Sequence, residues 1–288
     1  MSHSRSLAGF PGGTLGAFDC PPGSSAWDID VLQEHHHVIA FPGTPVWIRF
    51  AGAESVLADR GRVMLHRAGQ VYQRSSVAGR GDHCRFIALS DRVAREITAE
   101  FDADAAGAST FRFSALHAYV PATAYAAFRT GVAAALSAGD TIRLAEACYH
   151  AARIVARSAA GTASAPGARR ELVEAAKSLI GSDVGRGWSL PEIADRLHVS
   201  PYHLTRAFRR TTGLPLHRYL TDARLRAGLD LLLDRHDETV TTIAYRLGFA
   251  SHAHFSTSFR ALFGMTPTDA RRAGKPSKIL EAAVSPAL

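Results

Sequence analysis

The feature that most constrains this chain is a short pattern that occurs twice between residues 189 and 267. Both copies place apolar residues at matching positions, with a serine near the middle and a glycine at the end. The offset is 50 residues in the first half of the pattern and 51 in the second half, so the later copy has one extra residue at its centre. A repeat of this kind indicates one structural unit used twice. The matching residues are Ile193, Ala194, Leu197, Ser200, Leu204, Phe208, Arg209 and Gly213 in the first copy, and Ile243, Ala244, Leu247, Ser251, Phe255, Phe259, Arg260 and Gly264 in the second.

Each copy predicts two amphipathic helices joined by a tight turn. In the first copy Ile193, Ala194 and Leu197 have the i, i+1, i+4 spacing of one helix face. Ser200 and Pro201 then suit the N-cap and the first position of a second helix. The outer side of this second helix is polar and basic in both copies. Two such helices are typical of a helix-turn-helix unit.

The second copy follows the same plan, and the segment between the copies predicts a connecting helix. Gly248 suits the left-handed end of the first helix of this copy, and Ser251 suits the N-cap of its second helix. Residues 216–233 would form a helix about 27 Å long at about 1.5 Å per residue. Successive major grooves on one side of DNA recur at about 34 Å. A connector of this length could hold two recognition helices in adjacent grooves.

With these motifs, residues 169–273 resemble the DNA-binding domain of AraC/XylS-type transcription regulators. The resemblance implies an all-α domain of seven helices with two helix-turn-helix units and a connecting helix. The sequence departs from the family at Thr257, where relatives usually carry Arg or another long polar side chain, and at Ala270-Arg271, where they carry a Tyr-Arg pair. The residues that carry the resemblance are Ile193-Ala194, Ser200-Pro201-Tyr202-His203-Leu204, Arg206, Phe208-Arg209, Gly213, Arg224, Ile243-Ala244, Leu247-Gly248-Phe249, Phe255, Phe259-Arg260, Phe263-Gly264 and Thr266-Pro267.

The positive charge of the chain is concentrated in the same region. Residues 168–275 contain 17 Lys and Arg against 11 Asp and Glu, whereas the remainder contains 16 against 15. Nearly all of the net charge of +7 therefore lies where the repeat lies. Arginine predominates over lysine, which suits bidentate contacts with phosphates and guanine edges. Charge and repeat together favour double-stranded DNA as the partner.

The N-terminal half has a different pattern, with short β-like runs between turn residues from Trp27 to Ser90. Several short strands at this spacing predict a small antiparallel barrel or sandwich. A cupin-like effector domain often precedes the DNA-binding domain in the AraC/XylS family, and this segment resembles one in pattern and position. Helical patterns from Asp91 onward favour helices that cover the sheet or pack on each other, and the family resemblance implies that they could also form a dimerisation face. The expected fold class of the whole chain is therefore α+β.

Composition and the family resemblance together predict five segments. Residues 1–26 are rich in Gly, Pro and Ser, and we expect a flexible leader there. Residues 27–158 would form the cupin-like effector-binding and dimerisation domain, residues 159–168 a linker and residues 169–273 the DNA-binding domain. We expect residues 274–288 to be a mobile tail. Because no apolar run reaches 18 residues and the three cysteines show no CxxC pair, we expect a cytoplasmic protein without a membrane span or a disulfide framework.

A run of three histidines at residues 35–37 is the strongest candidate for a metal site in the N-terminal half, with Glu34, His66 and His83 as further candidate ligands. Consecutive strand residues point to opposite faces, so the three histidines cannot all line one pocket. We therefore expect a polar strand edge or a core histidine, with no metal, no cofactor and no catalytic residue. The alternative is a cupin-type metal-dependent enzyme, or a repair protein with an accessory DNA-binding domain. That alternative requires converging ligands or an activated cysteine.

The expected function is that of a sequence-specific transcription regulator, an activator by family resemblance, under the control of a small-molecule effector. The sequence does not identify the effector-binding residues. RNA polymerase and a second copy of the chain are further candidate partners. The first unit is expected to carry more of the specificity, because Ala253 and Thr257 in the second unit are short. The expected base contacts are Tyr202, Thr205, Arg206, His252, Ala253 and Thr257, and the expected phosphate contacts are Arg209, Arg210 and Arg260.

Overall fold

The computed structural model describes residues 4–161 and 168–274. Within these ranges ten strands lie in the first half of the chain, with helices between and after them. The strands are β1 (Ser4–Phe10), β2 (Gly13–Cys20), β3 (Val31–Gln33), β4 (His37–Pro42), β5 (Val46–Phe50), β6 (Val56–Ala58), β7 (Arg62–His66), β8 (Gln70–Ser76), β9 (Asp82–Leu89) and β10 (His117–Tyr119). The helices are α1 (Asp91–Ala99), α2 (Ala103–Gly107), α3 (Ala122–Ala138), α4 (Thr141–Ala160), α5 (Ala168–Ser182), α6 (Leu190–Arg196), α7 (Pro201–Thr212), α8 (Leu216–Asp234), α9 (Val240–Arg246), α10 (His252–Phe263) and α11 (Pro267–Ala273).

The described strands form two antiparallel sheets, as the sequence predicted. One sheet has six strands in the order β1-β2-β9-β4-β7-β10, and the other has four in the order β3-β8-β5-β6. Side chains alternate between the two faces of a strand. On the six-stranded sheet, Ile39, Leu65 and Ile87 therefore join the apolar core shared with α1, α3 and α4. Ala40 and Met64 lie on the other face, toward the four-stranded sheet. The mixed α and β composition is confirmed, while the comparison with a cupin stays an interpretation.

The prediction of a flexible leader in residues 1–26 is wrong for residues 4–20, because β1 and β2 form a hairpin at one edge of the six-stranded sheet. Strand β2 pairs with β9 along its whole length. Gly16 resembles a turn residue in the sequence but lies within β2 and serves the packing of the strand. A Cβ atom at Gly16 would lie 2.2 Å from Cζ of Phe86. The glycine thus makes room for an aromatic ring on the paired strand.

Two predicted boundary segments are only partly described. Helix α4 continues to Ala160 and α5 begins at Ala168, so both helices extend into the predicted linker of residues 159–168. Residues 162–167 of that linker lie outside the described residues. The same holds for residues 275–288 of the predicted tail.

The repeated sequence pattern folds into two matching helix pairs, α6–α7 and α9–α10. Ser200 and Ser251 accept hydrogen bonds from the backbone N–H three residues later, as predicted for N-caps. Helices α7 and α10 end at left-handed glycines, Gly213 and Gly264. Helix α8 connects the pairs, as its apolar pattern predicted. The residues buried at corresponding positions are Ile193, Ala194, Leu204 and Phe208 in the first pair, and Ile243, Ala244, Phe255 and Phe259 in the second.

Candidate nucleic-acid interface

Helix α7 has one buried side and one exposed side. Leu204, Ala207 and Phe208 are buried. Thr205 is half-buried, and its hydroxyl donates to the backbone carbonyl oxygen four residues earlier, at 3.1 Å. The other residues predicted to contact DNA from this helix are exposed, and they are Tyr202 (73% exposed), Arg206, Arg209 and Arg210.

Helix α10 repeats this arrangement with shorter side chains. Phe255, Phe259 and Phe263 are buried on its inner side. The opposite side is polar, and Ser256 Oγ lies 3.4 Å from Nε2 of the histidine that begins the helix. The residues predicted to contact DNA from this helix are all exposed, and they are His252, Ala253, Thr257 and Arg260. The structure therefore places each set of predicted contacts on one accessible helix face.

The turns of the two pairs use the same backbone conformation at corresponding positions. His198 has φ = 54° and Gly248 has φ = 74°, both in the left-handed region. Position 248 favours glycine for a second reason, because a Cβ atom there would lie 2.5 Å from the carbonyl oxygen of Gly185. A Cβ atom at Gly185 would in turn lie 2.2 Å from the carbonyl oxygen of Arg246. The loop before α6 is thus in direct backbone contact with the turn before α10.

Arg224 of α8 stabilises this backbone contact. Its Nε donates to the carbonyl oxygen of Val184 at 3.0 Å, and its Nη2 donates to that of Arg186 at 2.7 Å. Its Nη1 donates to the carbonyl oxygen of Gly248 at 3.4 Å. One side chain of the connecting helix therefore joins the loop that precedes the first pair to the turn of the second pair. Arg224 is one of the residues that carry the family resemblance. Its role could not be predicted from the sequence, because its three acceptors lie far from it in the chain.

The three consecutive histidines do not converge on one point. His35 and His36 are exposed, whereas His37 is buried. His37 Nε2 lies 3.1 Å from Asp91 Oδ1, and its Nδ1 accepts a hydrogen bond from the backbone N–H of Ala68 at 3.1 Å. Burial lowers the pKa of His37, although Asp91 opposes this effect. His37 therefore has the geometry of a core histidine with ordinary hydrogen bonds.

The further candidate ligands lie apart from these histidines. His83 forms a hydrogen bond with Asp19 at the surface, and Glu34 pairs with His35 beside it. His66 faces the space between the two sheets, where burial, and to a smaller extent Arg74, lowers its pKa to about 3. Among residues 4–161 and 168–274, no three His, Cys, Asp or Glu side chains are placed to hold a metal ion.

A cavity of about 210 Å³ lies between the two sheets. Arg74 and Asp82 line it and are both buried, with Arg74 Nη1 3.8 Å from Asp82 Oδ2. Within the described part of the chain, Nε and Nη1 of Arg74 and Oδ1 of Asp82 have no hydrogen-bond partner. Burial raises the pKa of Asp82 to about 6, against the opposing charge of Arg74. Because unpaired buried polar groups are costly, this cavity is a candidate site for a polar ligand.

The alternation of side chains along β8 is the sequence feature that indicates this cavity. Arg74 follows Tyr72 by two residues on β8, so strand alternation places both side chains on the same inward face. Arg74 Nη2 donates to the Tyr72 hydroxyl at 2.6 Å.

Helix α8 also forms buried polar contacts with the N-terminal domain. Asp230 accepts hydrogen bonds from Arg60 Nε at 2.6 Å and from the Tyr125 hydroxyl at 2.8 Å. Arg129 Nε lies 2.9 Å from the same carboxylate. One turn later, Asp234 pairs with Arg129 at 3.0 Å and with Arg85 at 2.7 Å. The connecting helix is therefore bound to strands and helices that lie more than 100 residues earlier in the chain.

A second buried ion pair joins α5 to the N-terminal domain. Arg62 donates two hydrogen bonds to Glu174, from Nη1 at 2.7 Å and from Nη2 at 2.8 Å. Both side chains are nearly inaccessible, at 4% and 6% exposure. Tyr219 of α8 donates to Asp59 Oδ2 at 2.9 Å beside this pair. These contacts were missed from the sequence, because nothing local distinguishes a charged residue at a domain interface from one on a solvated helix face.

The helix pairs, their caps and their exposed polar sides define a DNA-binding domain of the helix-turn-helix class. Residues 193–273 match the family model described as "Helix-turn-helix domain". Together with the relatives below, this match shows that the C-terminal part of the chain is a domain of the AraC/XylS type of transcription regulator. In the described part of the chain, no helix is long and apolar enough to cross a membrane.

Two curated relatives each match 81 residues of the chain. The chain is 47% identical over 81 residues to the HTH-type transcriptional activator RhaS of Citrobacter koseri, and 44% identical over 81 residues to RhaS of Escherichia coli O1:K1 / APEC. Each match covers 28% of this chain and only 28% of the length of the relative. A solved transcriptional regulator from Chromobacterium violaceum, with an AraC-type DNA-binding domain, is 28% identical. It covers 38% of this chain and 96% of that chain, with a TM-score of 0.35.

Proposed function

We propose that this protein is a sequence-specific DNA-binding transcription regulator, an activator whose contact with DNA is controlled by a small molecule bound in the N-terminal β domain. The observation that carries the proposal is the presence of two matched helix pairs, each with an apolar side buried and a polar, basic side exposed. An α-helix with such a side fits the major groove of B-DNA. In this proposal α7 and α10 are the recognition helices of two helix-turn-helix units.

The exposed side chains divide by position into base and phosphate contacts. On α7, Tyr202, Thr205 and Arg206 would face base edges, whereas Arg209 and Arg210 near the helix end would contact phosphates. An arginine can contact O6 and N7 of guanine together, so Arg206 is the strongest candidate for base readout.

The second unit offers fewer direct contacts. His252, Ala253 and Thr257 would face the bases and Arg260 the backbone. Because Ala253 and Thr257 cannot reach far into the groove, we propose that the first unit carries more of the sequence preference.

Control by an effector is supported by the cavity between the sheets. Its buried Arg74 and Asp82 have unpaired polar atoms that a small polar molecule could bind. Activation is supported by the names of the RhaS relatives. We further propose that the protein is a cytoplasmic, non-enzymatic regulator, with RNA polymerase and a second copy of the chain as partners.

Protection of promoter DNA tests the proposal. Full-length protein should protect a defined segment upstream of its own or a neighbouring gene. The double variant Arg206→Ala/Arg209→Ala should lose this protection, whereas the control Arg92→Ala, an exposed arginine on α1, should keep it. A folded protein that protects no segment, or variants that all behave alike, would contradict the proposal.

Effector control requires a separate test. A panel of small polar molecules is screened for compounds that raise the thermal midpoint of the full-length protein and change its affinity for the protected DNA. Arg74→Met should abolish the response to such a compound while leaving DNA affinity without the compound unchanged. A response that survives Arg74→Met would place the effector elsewhere.

A further inference from the structure

The loop at residues 183–188, which we call the bridging loop, lies between α5 and α6 and contacts the apolar clusters of both helix pairs. Trp188 is buried in the cluster of the first pair, together with residues of α5, α6, α7 and the start of α8. Val184 packs against the larger cluster, which contains the buried sides of α9 and α10. One short segment therefore contacts the apolar side chains that support the first recognition helix and those that support the second.

Contacts of Trp188 and Arg186 attach the bridging loop to the first helix pair. The indole Nε1 of Trp188 donates to the carbonyl oxygen of Asp183 at 2.8 Å, which closes the loop on itself. Cζ of Arg186 lies 4.5 Å from the centroid of the Trp188 ring. Nη2 of Arg186 also donates to Oε1 of Glu192 on α6 at 2.5 Å. The bridging loop and the first helix pair are therefore joined by both apolar and polar contacts.

Arg224 lies where α8 passes from one apolar cluster to the other. Leu220 packs against the cluster of the first pair, whereas Leu225 belongs to the larger cluster. The Arg224 side chain donates to two carbonyl oxygens of the bridging loop, at 3.0 and 2.7 Å. It also donates to the carbonyl oxygen of Gly248, in the turn of the second pair, at 3.4 Å. At the boundary between the two clusters, one guanidinium group therefore joins backbone that belongs to different helix pairs.

The backbone of the bridging loop meets that of the second helix pair without room for a side chain. A Cβ atom at Gly185 would lie 2.2 Å from the carbonyl oxygen of Arg246, and one at Gly248 would lie 2.5 Å from that of Gly185. By contrast, a Cβ atom at Gly187 in the same loop would meet no atom of the described residues within 4 Å. Glycine permits such a close approach of two backbones. The hydrogen bonds of Arg224 thus hold the pairs together at a separation that the backbone contact prevents from becoming shorter.

We infer that Arg224 is a positioning residue, which holds the two helix pairs at one separation and thereby sets the spacing between the DNA segments that α7 and α10 contact. The two pairs pack on different apolar clusters, so without Arg224 each pair could pivot about its own end of α8 and remain folded. Arg224 fixes the separation of the pairs, while the conformation of each pair depends on its own cluster. The effect on DNA spacing rests on the proposed function, but the effect on the separation does not.

The first test measures the separation on the full-length protein without DNA. Nitroxide labels are attached at Arg210→Cys on α7 and Ala261→Cys on α10, which are exposed and occupy corresponding positions of the repeat. Cys84→Ala removes the native cysteine that is not buried. Pulsed electron paramagnetic resonance should give one narrow distribution of label distances. Arg224→Met should broaden this distribution by about 3.4 Å or more, the rise of one base pair.

Two matched controls separate positioning from a general loss of stability. Arg95→Met on α1 also removes hydrogen bonds to two backbone carbonyl oxygens, at 2.6 and 2.8 Å, but within the N-terminal domain. It should leave the label distances unchanged. Gly185→Ala should shift them to longer values, because the added Cβ atom meets a carbonyl oxygen, whereas Gly187→Ala should not. A distribution that Arg224→Met leaves unchanged, or that Arg95→Met broadens equally, would overturn the inference.

The second test measures affinity for the protected promoter segment with one base pair inserted or removed. The change is made between the base pairs whose preference is altered by Arg206→Ala and by His252→Ala. One base pair moves these two parts of the DNA by about 3.4 Å and about 35° relative to each other. The wild type should bind the altered segment about 10-fold more weakly, which corresponds to the loss of one base contact. Arg224→Met should bind the unaltered segment more weakly than the wild type but lose only about 3-fold or less on the altered one.

The two tests distinguish this inference from the proposed function. Equal losses on the altered segment for the wild type and Arg224→Met would overturn the inference. A protein that protects promoter DNA, but whose label distances do not respond to Arg224→Met, would overturn the inference alone. A protein that shows the expected label distances but protects no DNA would support the role of Arg224 in the separation and contradict the proposed function.

Discussion

Replacement of Asp230 by alanine is the sharpest test of the contact between the two domains. The carboxylate accepts hydrogen bonds from Arg60 and Tyr125 and lies 2.9 Å from Arg129, within a largely buried cluster. Removing one partner of a buried ion pair costs about 3–5 kcal/mol, because the remaining charge stays buried without compensation. We therefore expect Asp230→Ala to lower the free energy of unfolding by about 3–5 kcal/mol. Asp230→Asn should cost nearly as much, since the amide keeps the shape but not the charge.

Thermal unfolding of the full-length protein measures this loss. For a protein of this size class about 1 kcal/mol shifts the midpoint by roughly 2–4 °C, so we expect a decrease of about 6–20 °C. The control is Glu96→Ala, which removes an exposed ion pair with Arg92. Their side chains are 59% and 74% exposed, and such pairs contribute about 0–1 kcal/mol. A decrease for Asp230→Ala no larger than that for Glu96→Ala would refute the reasoning.

The difference in the free energy of unfolding between the wild type and Asp230→Ala should depend on pH in one direction. Burial alone would raise the pKa of Asp230, but Arg129 and Arg60 outweigh it, and the net effect lowers the pKa below its ordinary value of 3.8. A carboxyl group of this kind contributes its stability above the pKa of the unfolded chain and loses it as the pH falls through the folded value. The difference between the wild type and Asp230→Ala should therefore be constant above about pH 5 and shrink under acid conditions.

Three further predictions concern the DNA-binding domain. On single-base operator variants, Arg206→Ala should cost about 1–3 kcal/mol and relax preference at one position, whereas Arg209→Ala should weaken binding to every sequence alike; equal effects at all sites would exclude base readout by Arg206. Gly248→Ala should lower the thermal midpoint more than Gly213→Ala, because both glycines have φ = 74° but only Gly248 faces a carbonyl oxygen at 2.5 Å. Equal losses would show that the close contact is absent. Gly248→Asn should lower the thermal midpoint at least as much as Gly248→Ala. Operator affinity should fall steeply between 50 and 200 mM salt, and Arg260→Ala should reduce the salt slope by about 1; an unchanged slope would remove Arg260 from the phosphate contacts.

The repeated helices could be predicted from the sequence because their determinants are local. A serine N-cap needs only the backbone a few residues later, and a buried helix side needs only apolar residues at i and i+4. Ser200 and Ser251 therefore marked the starts of α7 and α10, and Phe208 and Phe259 marked their buried sides. The exposed positions of the predicted DNA contacts follow from the same spacing. Their individual roles remain predictions, because no DNA contact follows from helix periodicity alone.

The parts that the sequence did not reveal depend on residues far apart in the chain. Gly16 resembled a loop residue until Phe86 was placed across the strand pair. Asp230 resembled an ordinary charge in a helix until Arg60 and Arg129 were placed around it, 170 and 101 residues earlier. The cavity between the sheets arises in the same way, from walls that separate elements contribute. Sequence patterns predict which side of an element is buried but not which partner it meets.

The two helix pairs differ in the apolar cluster on which they pack. The α6–α7 pair packs on an apolar cluster of its own with α5 and the start of α8, whereas the buried side chains of α9–α10 are continuous with those of α3. Opening the first pair leaves the larger cluster intact, but opening the second also exposes the core under the N-terminal helices. Amide hydrogens of α7 should therefore exchange with solvent through an independent step of lower energy, and those of α10 only together with α3. On a DNA site of the proposed kind, we therefore expect α7 to adapt to the sequence while α10 keeps a fixed position relative to the rest of the molecule.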